Sequence, residues 1–214
     1  MTEPRRAIAL LTNSEHGQAN VILAVAYELL LSNDFNIHII SFGELAHRVE
    51  ELNERVQVRF SSDSKDAPQA IFHSIPGHSM KSTWARSGVE LPHKPGAFGA
   101  VEAIKKGDRI LFGWDAAEYL EQYRSCLQEL QSIRPVVAVA DPMCCQFRDA
   151  IETANIPVAV LNATCIGILI AALQPKGAML WKYPVYVYVS SECVTCFVCC
   201  ARGETGDQFS LLLS

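Results

Sequence analysis

A chain of 214 residues is long enough to bury one sizeable core, so its length favours one domain or a domain with a tail. Half of the residues are hydrophobic and 19% are charged, a balance that excludes an intrinsically disordered protein. The formal net charge of -5, together with the lack of any cluster of Lys and Arg, argues against nucleic acid as a partner. The composition therefore predicts a folded domain that binds something other than a phosphate backbone.

The N-terminal segment does not have the features of a secretion signal. The apolar run at residues 7–11 is followed by polar residues from Asn13 onward, so it is too short for the apolar part of a signal peptide. The apolar stretch near the C-terminus is interrupted at residues 190–192, whereas a membrane span needs about 20 mainly apolar residues. We therefore expect a cytoplasmic protein without a transmembrane span and with its eight cysteines reduced.

The chain alternates strand and helix patterns from its N-terminus. Residues 7–12 form a short, continuous apolar run, which is typical of a strand buried on both faces of a parallel sheet. A polar turn then leads into a helix whose apolar residues recur at helical spacing from Val21 to Leu30. The same periodicities predict the next three elements, a strand, a helix and a strand, at residues 36–42, 43–52 and 56–60.

The middle of the chain has a different character. Residues 61–113 are rich in Asp, Ser, Pro, Gly and His, which predicts a long irregular excursion of the kind that often carries function. Order returns at Asp115, which together with Glu118 has the pattern of a helix N-cap, and an apolar stripe follows. The remaining pattern predicts a strand, a helix and a last strand at residues 136–140, 146–154 and 157–161.

Strands that alternate with helices predict a mostly parallel sheet with right-handed crossovers. The expected fold class is α/β, a doubly wound, Rossmann-like sheet with helices on both faces. We expect this domain to cover residues 1–184, followed by a poorly ordered, Cys-rich tail at residues 185–214. The closely spaced cysteines at residues 193–200 also suggest a metal or iron–sulfur site, but a second, separated ligand pair is missing, so we expect no metal.

Two polar residues follow predicted strands at positions where doubly wound sheets bind ligands, outside the carboxyl ends of the strands. His16 lies in the loop after the first strand, and Asp141 follows the strand that ends at Ala140. A neutral imidazole in this place can accept a proton, and an aspartate can bind the other ring N–H and stabilise the imidazolium. From spacing alone the dyad is a weak signal, and a capping histidine and a turn aspartate are the more common interpretation of these two residues.

Other enzyme classes are less well supported by the first loop. It contains only Gly17 and lacks the G-x-G-x-x-G pattern of a dinucleotide site. Ser14 lies close to His16, which suggests a hydrolase, but no G-x-S-x-G nucleophile motif is present. A nicotinamide enzyme is therefore disfavoured, and a hydrolase is the weaker enzyme hypothesis.

Several segments together resemble a known family. The opening LTNSEHGQANV at residues 11–21, followed by the apolar helix and the strand at 36–42, is similar to the start of fungal UDP-glycosyltransferases of the GT-B type, which have two Rossmann-like domains. The resemblance continues through residues 134–142, 156–163 and 181–184. It covers roughly residues 7–184, and the order of the segments is more specific than any single motif.

The resemblance implies a reaction and roles for individual residues. In the family, the first-loop histidine, here His16, deprotonates the acceptor hydroxyl, which attacks the anomeric carbon of a UDP-sugar with inversion. The aspartate partner of that histidine corresponds to Asp141. The UDP-sugar is a co-substrate, so no cofactor is expected, and the acceptor class is a small, hydroxylated apolar molecule.

Residues near the base and aromatic residues of the excursion are candidates for binding the acceptor. We expect Gly17 and Gln18 to contact it, together with Trp84, Phe98 and Trp114, although the aromatic side chains equally suit packing in the core.

Histidines outside the first loop receive smaller roles. His73, His78 and His93 lie in the predicted excursion, where they are expected to line the acceptor cleft rather than bind metal, while His38 is expected to be a structural residue of a strand.

Nothing after Pro184 resembles the second, donor-binding domain of the family. This departure leaves two further hypotheses open beside an enzyme. One is a non-catalytic acceptor-binding module or pseudoenzyme, because half of a two-domain site cannot position the donor. The other is an acceptor subunit that borrows a donor-binding half from a partner chain.

Overall fold

A parallel sheet organises the part of the chain that the computed structural model describes, residues 5–60, 67–88 and 113–163. Within these ranges the sheet has five strands in the order β3-β2-β1-β4-β5, and every neighbouring pair is parallel. The strands are β1 (Arg6–Leu11), β2 (Phe35–Phe42), β3 (Ile71–Ile75), β4 (Val137–Ala140) and β5 (Val158–Val160). The helices are α1 (His16–Ser32), α2 (Ala46–Arg59), α3 (Met80–Ser87), α4 (Ala116–Ile133) and α5 (Cys145–Thr153), with a 3-10 turn at Gly43–Leu45.

Helices cover both faces of the sheet, because the central strands are apolar on both sides. Ile8 and Leu10 of β1 pack into one core cluster with α1 and α2, whereas Ala9 and Leu11 pack into a second cluster with α4 and α5. Alternating residues of one strand thus point into two separate cores, as strand geometry requires. The predicted doubly wound α/β fold is confirmed.

The chain order along the sheet reverses at β1. From β1 the sheet grows in one direction through β2 and β3, and in the other through β4 and β5. In open parallel sheets this reversal leaves a crevice outside the carboxyl ends of the two strands that flank it. The fold therefore predicts a binding site beside the ends of β1 and β4.

The third predicted strand, at residues 56–60, is wrong. These residues belong to the end of α2, which continues to Arg59. Val49, Leu52 and Val56 lie three or four positions apart and form the buried face of that helix, while Val58 is 79% exposed. The alternation of Val56 and Val58 imitates a strand, but only one of them is buried.

The true third strand and an extra helix lie inside the region expected to be irregular. Strand β3 pairs with β2 through five residue pairs, from His38 with Ile71 to Phe42 with Ile75. Helix α3 follows, with Ser79 as its N-cap. His73 therefore lies in a strand, and the expectation that it is a loop residue is wrong. Residues 61–66 and 89–112, and the predicted boundary between residues 184 and 185, lie outside the described residues.

Candidate active site at the carboxyl ends of β1 and β4

The ends of β1 and β4 lie side by side and in register. Leu11 pairs with Ala140, and the backbone N–H of Asp141 donates to the carbonyl oxygen of Leu11 over 2.9 Å. Thr12 and Asp141 are therefore the first residues beyond the paired strands, and both are buried. The ladder places Asp141 at the edge of the sheet where the reversal at β1 predicts a site.

The carboxylate of Asp141 is held by three donors. The backbone N–H of Met143 donates to Oδ1 over 2.8 Å, and the Nδ2 atom of Asn13 donates to Oδ2 over 3.0 Å. The hydroxyl of Thr12 lies 3.5 Å from the same Oδ2. Burial raises the pKa of the Asp141 carboxyl above its ordinary value, while these hydrogen bonds oppose the shift. Asp141 is thus a buried carboxyl group with fixed orientation.

Asn13 joins this carboxylate to the first loop. Its Oδ1 accepts from the backbone N–H of Glu15 over 2.6 Å, which closes an Asx turn. Its Nδ2 also donates to Oε1 of Gln18 in the first turn of α1. One fully buried amide therefore ties the loop and the start of α1 to the end of β4. The sequence analysis missed Asn13, although an Asn directly beyond a buried strand is a recognisable signal for such a turn.

His16 is the first residue of α1, and its side chain is exposed. Within the described ranges it has no hydrogen-bond or ion-pair partner. The oxygens of Asp141 are bonded to Met143, Asn13 and Thr12 rather than to His16. The structure thus brings His16 and Asp141 to the same edge of the sheet without joining their side chains by a hydrogen bond. An exposed imidazole at this edge is accessible to a ligand.

The loop that carries His16 is also bound to α3. Oε1 of Glu15 accepts from the backbone N–H of Lys81 over 2.7 Å, and Oε1 of Glu44 accepts from the hydroxyl groups of Ser79 and Ser82. Carboxylates are favourable at this end of a helix because they satisfy free N–H groups and meet the positive end of the helix dipole. Helix α3, which contains Trp84, is therefore fixed against the His16 loop.

The other candidate acceptor residues have separate surroundings. Gln18 is half-buried and bonds to Asn13, while Gly17 is exposed with open space where a side chain would begin. Trp114 donates from Nε1 to the carbonyl oxygen of His78 over 2.7 Å and packs against the core cluster below α4 and α5. Phe98 lies outside the described residues.

A buried pair of glutamines lies beneath the loop between β3 and α3. Nε2 of Gln122 donates to the carbonyl oxygen of His78 over 3.3 Å, and Nε2 of Gln146 donates to Oε1 of Gln122 over 2.7 Å. Both glutamines are fully buried, and Gly77 passes directly above Gln122. The loop between β3 and α3 therefore packs directly on the side chain of Gln122.

The described ranges contain no group of three or more His, Cys, Asp or Glu side chains arranged to hold a metal ion. They contain three free cysteines, Cys126, Cys144 and Cys145. His93 and the cysteines at residues 193–200 lie outside these ranges. Among the helices that the structure describes, none is long and apolar enough to cross a membrane.

Comparison with known proteins relates the chain to glycosyltransferases. No family model matches it. The chain is 28% identical over 191 residues to the glycosyltransferase sdnJ of Sordaria araneosa, an alignment that covers 87% of this chain and 37% of that protein. Among solved structures, it is similar to the glycosyltransferase SsfS6 of Streptomyces sp. SF2575, with a TM-score of 0.48 and 12% identity over 74% of this chain and 39% of that one.

It is also similar to CalG4, the calicheamicin glycosyltransferase, with a TM-score of 0.49 and 14% identity over 93% of this chain and 42% of that one. The chain thus spans well under half the length of the proteins it matches. The alignment with the Sordaria protein supports the resemblance drawn from the sequence: the chain is similar to a glycosyltransferase, and its described residues form a doubly wound, Rossmann-like sheet.

Proposed function

We propose that this chain is the acceptor-side domain of a UDP-sugar-dependent glycosyltransferase that acts in the cytoplasm. In this proposal, the enzyme transfers a hexosyl group, with inversion, to a hydroxyl of a small apolar acceptor. The observation that carries the proposal is the position of His16 and Asp141 beyond the adjacent carboxyl ends of β1 and β4. That edge is where a doubly wound sheet binds its ligands.

His16 is the proposed general base. Its ring nitrogen takes the proton of the acceptor hydroxyl, and the freed oxygen attacks the anomeric carbon of the sugar. The bond from that carbon to the UDP oxygen breaks, and UDP leaves with the electron pair. Attack on the face opposite the leaving group inverts the anomeric centre. The exposed position of His16 supports this role, because an acceptor can reach the imidazole from solvent.

Asp141 is the proposed partner that stabilises the imidazolium formed after proton transfer. A carboxylate oxygen can accept more than one hydrogen bond, and Oδ1 of Asp141 accepts from the backbone N–H of Met143. His16 has no competing partner among the described residues, so its ring can turn toward Asp141 when an acceptor binds. Asn13 and Thr12 hold Oδ2 in place during that movement.

The aromatic and polar residues around this edge are proposed to bind the acceptor. Gly17 and Gln18 lie next to the base, and Trp84 lies on the helix that Glu15 fixes to the same loop. Trp114 is proposed as a further contact beside His78. Phe98 completes the proposed acceptor set, on the family resemblance alone.

Donor binding is proposed to lie on a part of the enzyme that this chain does not match. The chain covers 37% of the Sordaria relative, and its first loop has no glycine pattern that could hold a phosphate group. The same observation favours a second candidate function, a non-catalytic acceptor-binding module or an acceptor subunit that works with a donor-binding partner chain. No cofactor and no metal take part in either version.

A transfer assay on the full chain tests the proposal. The chain is mixed with UDP-glucose and a panel of hydroxylated apolar compounds, and glycosylated products are detected by mass spectrometry. His16→Ala is expected to abolish any product that the wild-type chain forms, whereas His47→Ala, a change at an exposed histidine of α2, is expected to leave it unchanged. If His16→Ala forms as much product as the wild-type chain, His16 is not the general base. Acceptor binding without any product supports the acceptor-binding module.

A further inference from the structure

Two histidines and a glutamate that do not belong to the candidate active site are joined by hydrogen bonds. Nδ1 of His38 in β2 lies 2.9 Å from Nε2 of His73 in β3, and Nδ1 of His73 lies 2.7 Å from Oε2 of Glu129 in α4. All three side chains are half-buried. We call these three residues (His38, His73 and Glu129) the histidine latch, because their hydrogen bonds link β2 and β3 to α4.

The histidine latch can hold either no added proton or one. With both rings neutral, His38 donates from Nδ1 to Nε2 of His73, and His73 donates from Nδ1 to Glu129. When His73 is charged it donates from both nitrogens, and His38 accepts at Nδ1 after its own proton moves to Nε2. Both hydrogen bonds survive in each state, and the charged state adds an ion pair with Glu129.

A second proton cannot be accommodated. With both rings charged, the N–H of His38 faces the N–H of His73, so their hydrogen bond is lost. The two positive rings are then 5.2 Å apart between centroids, with only the charge of Glu129 to balance them. Neither β2 nor β3 contains another titratable side chain, and Cys126 of α4, which is buried and whose pKa is raised to about 12, stays neutral.

The surroundings of His38 favour its neutral form. Burial lowers the pKa of His38 and the adjacent His73 lowers it further, whereas Glu129 raises it. Because the pKa of His38 is depressed in the folded chain, its contribution to stability is present above the ordinary histidine pKa of about 6.5 and is lost as the pH falls below it. The lowered pKa of His38 and the loss of its hydrogen bond to His73 when both rings are charged thus predict the same effect, a lower stability in acid.

We propose that the histidine latch is sensitive to acid. While the three residues carry at most one added proton, they hold α4 against β2 and β3. When both rings are charged, they release the helix. Helix α4 also supplies Gln122, which contacts the loop at His78, and Glu118, which pairs with Arg86 of α3. Release of α4 in acid therefore loosens the elements beside the candidate active site. The proposal does not depend on the identity of the substrate.

Urea unfolding of the full chain at about pH 7.5 and about pH 5.5 tests the proposal. His38→Asn is the informative variant, because an Asn amide replaces Nδ1 and can donate to or accept from His73 in every charge state. The urea midpoint of the wild-type chain is expected to fall in acid, and His38→Asn is expected to remove roughly half of that fall or more. An equal fall in both proteins would overturn the proposal.

His47→Asn is the matched control, since His47 is exposed and its partner is Glu51 on the same helix. It is expected to keep the full wild-type fall, which separates the histidine latch from ordinary histidine titration. If His38→Asn does not fold, NMR of the wild-type imidazoles and amides replaces it. We expect the amides of α4 to change as the His38 ring takes up its proton. Amides of α4 that do not respond to protonation of His38 would overturn the proposal.

Discussion

Asn13 donates to Oδ2 of Asp141 over 3.0 Å, although 128 positions separate the two residues along the chain. Both side chains are buried, so neither can exchange this bond for water. A buried hydrogen bond to a charged group contributes about 1.5–3 kcal/mol to stability. The pair therefore fixes the loop of the proposed base to the proposed acidic partner with an interaction strong enough to shape the site.

Asp141→Asn is expected to separate catalysis from folding. The variant keeps the shape of the side chain and the acceptor for Met143 but loses the charge that stabilises an imidazolium, so any transfer activity should fall by about 100-fold or more. The bond from Asn13 is lost, because the amide nitrogen that replaces Oδ2 cannot accept it, but the cost of burying a charge is also removed, so the melting temperature should change little. Initial rates and thermal melts measure the two effects, and parallel loss of both would identify a structural aspartate.

The same variant makes a prediction about pH. Because burial raises the pKa of Asp141 in the folded chain, the stability that Asp141 provides is greatest in acid and declines as the pH rises from its ordinary pKa of about 3.9 through the raised value. Asp141→Asn cannot ionise, so the difference in free energy of unfolding between the variant and the wild type should move in favour of the variant as the pH rises above about 4. Urea titrations across this range measure the difference, and a difference that moves the other way would show that hydrogen bonding outweighs burial.

The sequence predicts the fold class because the apolar runs at residues 7–11 and 136–140 are typical of buried parallel strands and alternate with helical patterns. It misplaces the third strand because Val56, Val58 and Phe60 alternate like a strand, while the helical spacing of Val49, Leu52 and Val56 decides the real structure. Periodicity over five residues cannot separate the two patterns, since it does not show which side chains find a core to pack against.

The sequence likewise predicts only part of the candidate site. The sequence shows that His16 and Asp141 each follow an apolar run that is typical of a buried strand. Because the carboxyl ends of parallel strands share one edge of a sheet, it also predicts that the two residues lie at that edge. The bond from Asn13 to Asp141 and the histidine latch are not visible. Each joins residues that are far apart in the chain and depends on the strand order, which local patterns do not specify.

Gly77→Ala is expected to destabilise the loop over the sheet. Gly77 has a φ of 94°, which disfavours any side chain, and a Cβ atom there would lie 2.9 Å from Nε2 of the buried Gln122. The combined strain should lower the free energy of unfolding by about 1–3 kcal/mol, as urea titration measures it. Gly17→Ala is the control, because nothing lies within 4 Å of its Cβ position, and it should be neutral or slightly stabilising in α1. Similar losses in both variants would contradict this account of Gly77.

Asp115→Ala is expected to weaken the start of α4. Oδ1 of Asp115 accepts from the backbone N–H groups of Ala117 and Glu118 over 2.9 Å each, and the Glu118 side chain bonds back to the N–H of Asp115. Loss of such a capping box costs about 1 kcal/mol of unfolding free energy, which chemical denaturation can resolve. Glu121→Ala, at an exposed position of the same helix, should cost much less. If the two substitutions cost the same, the cap does not stabilise this helix.

Calorimetry with the full chain should separate acceptor binding from donor binding. If the donor site lies on a part of the enzyme that this chain does not match, UDP and UDP-glucose should give no measurable heat, because the first loop has no glycine pattern to hold phosphates. Hydroxylated apolar compounds should still bind at the edge formed by β1 and β4. Acceptor binding should weaken in Trp84→Ala, on the helix that Glu15 fixes to the His16 loop, and persist in Glu121→Ala. Tight binding of UDP would instead place a donor site within this chain and overturn the assignment of an acceptor-side half.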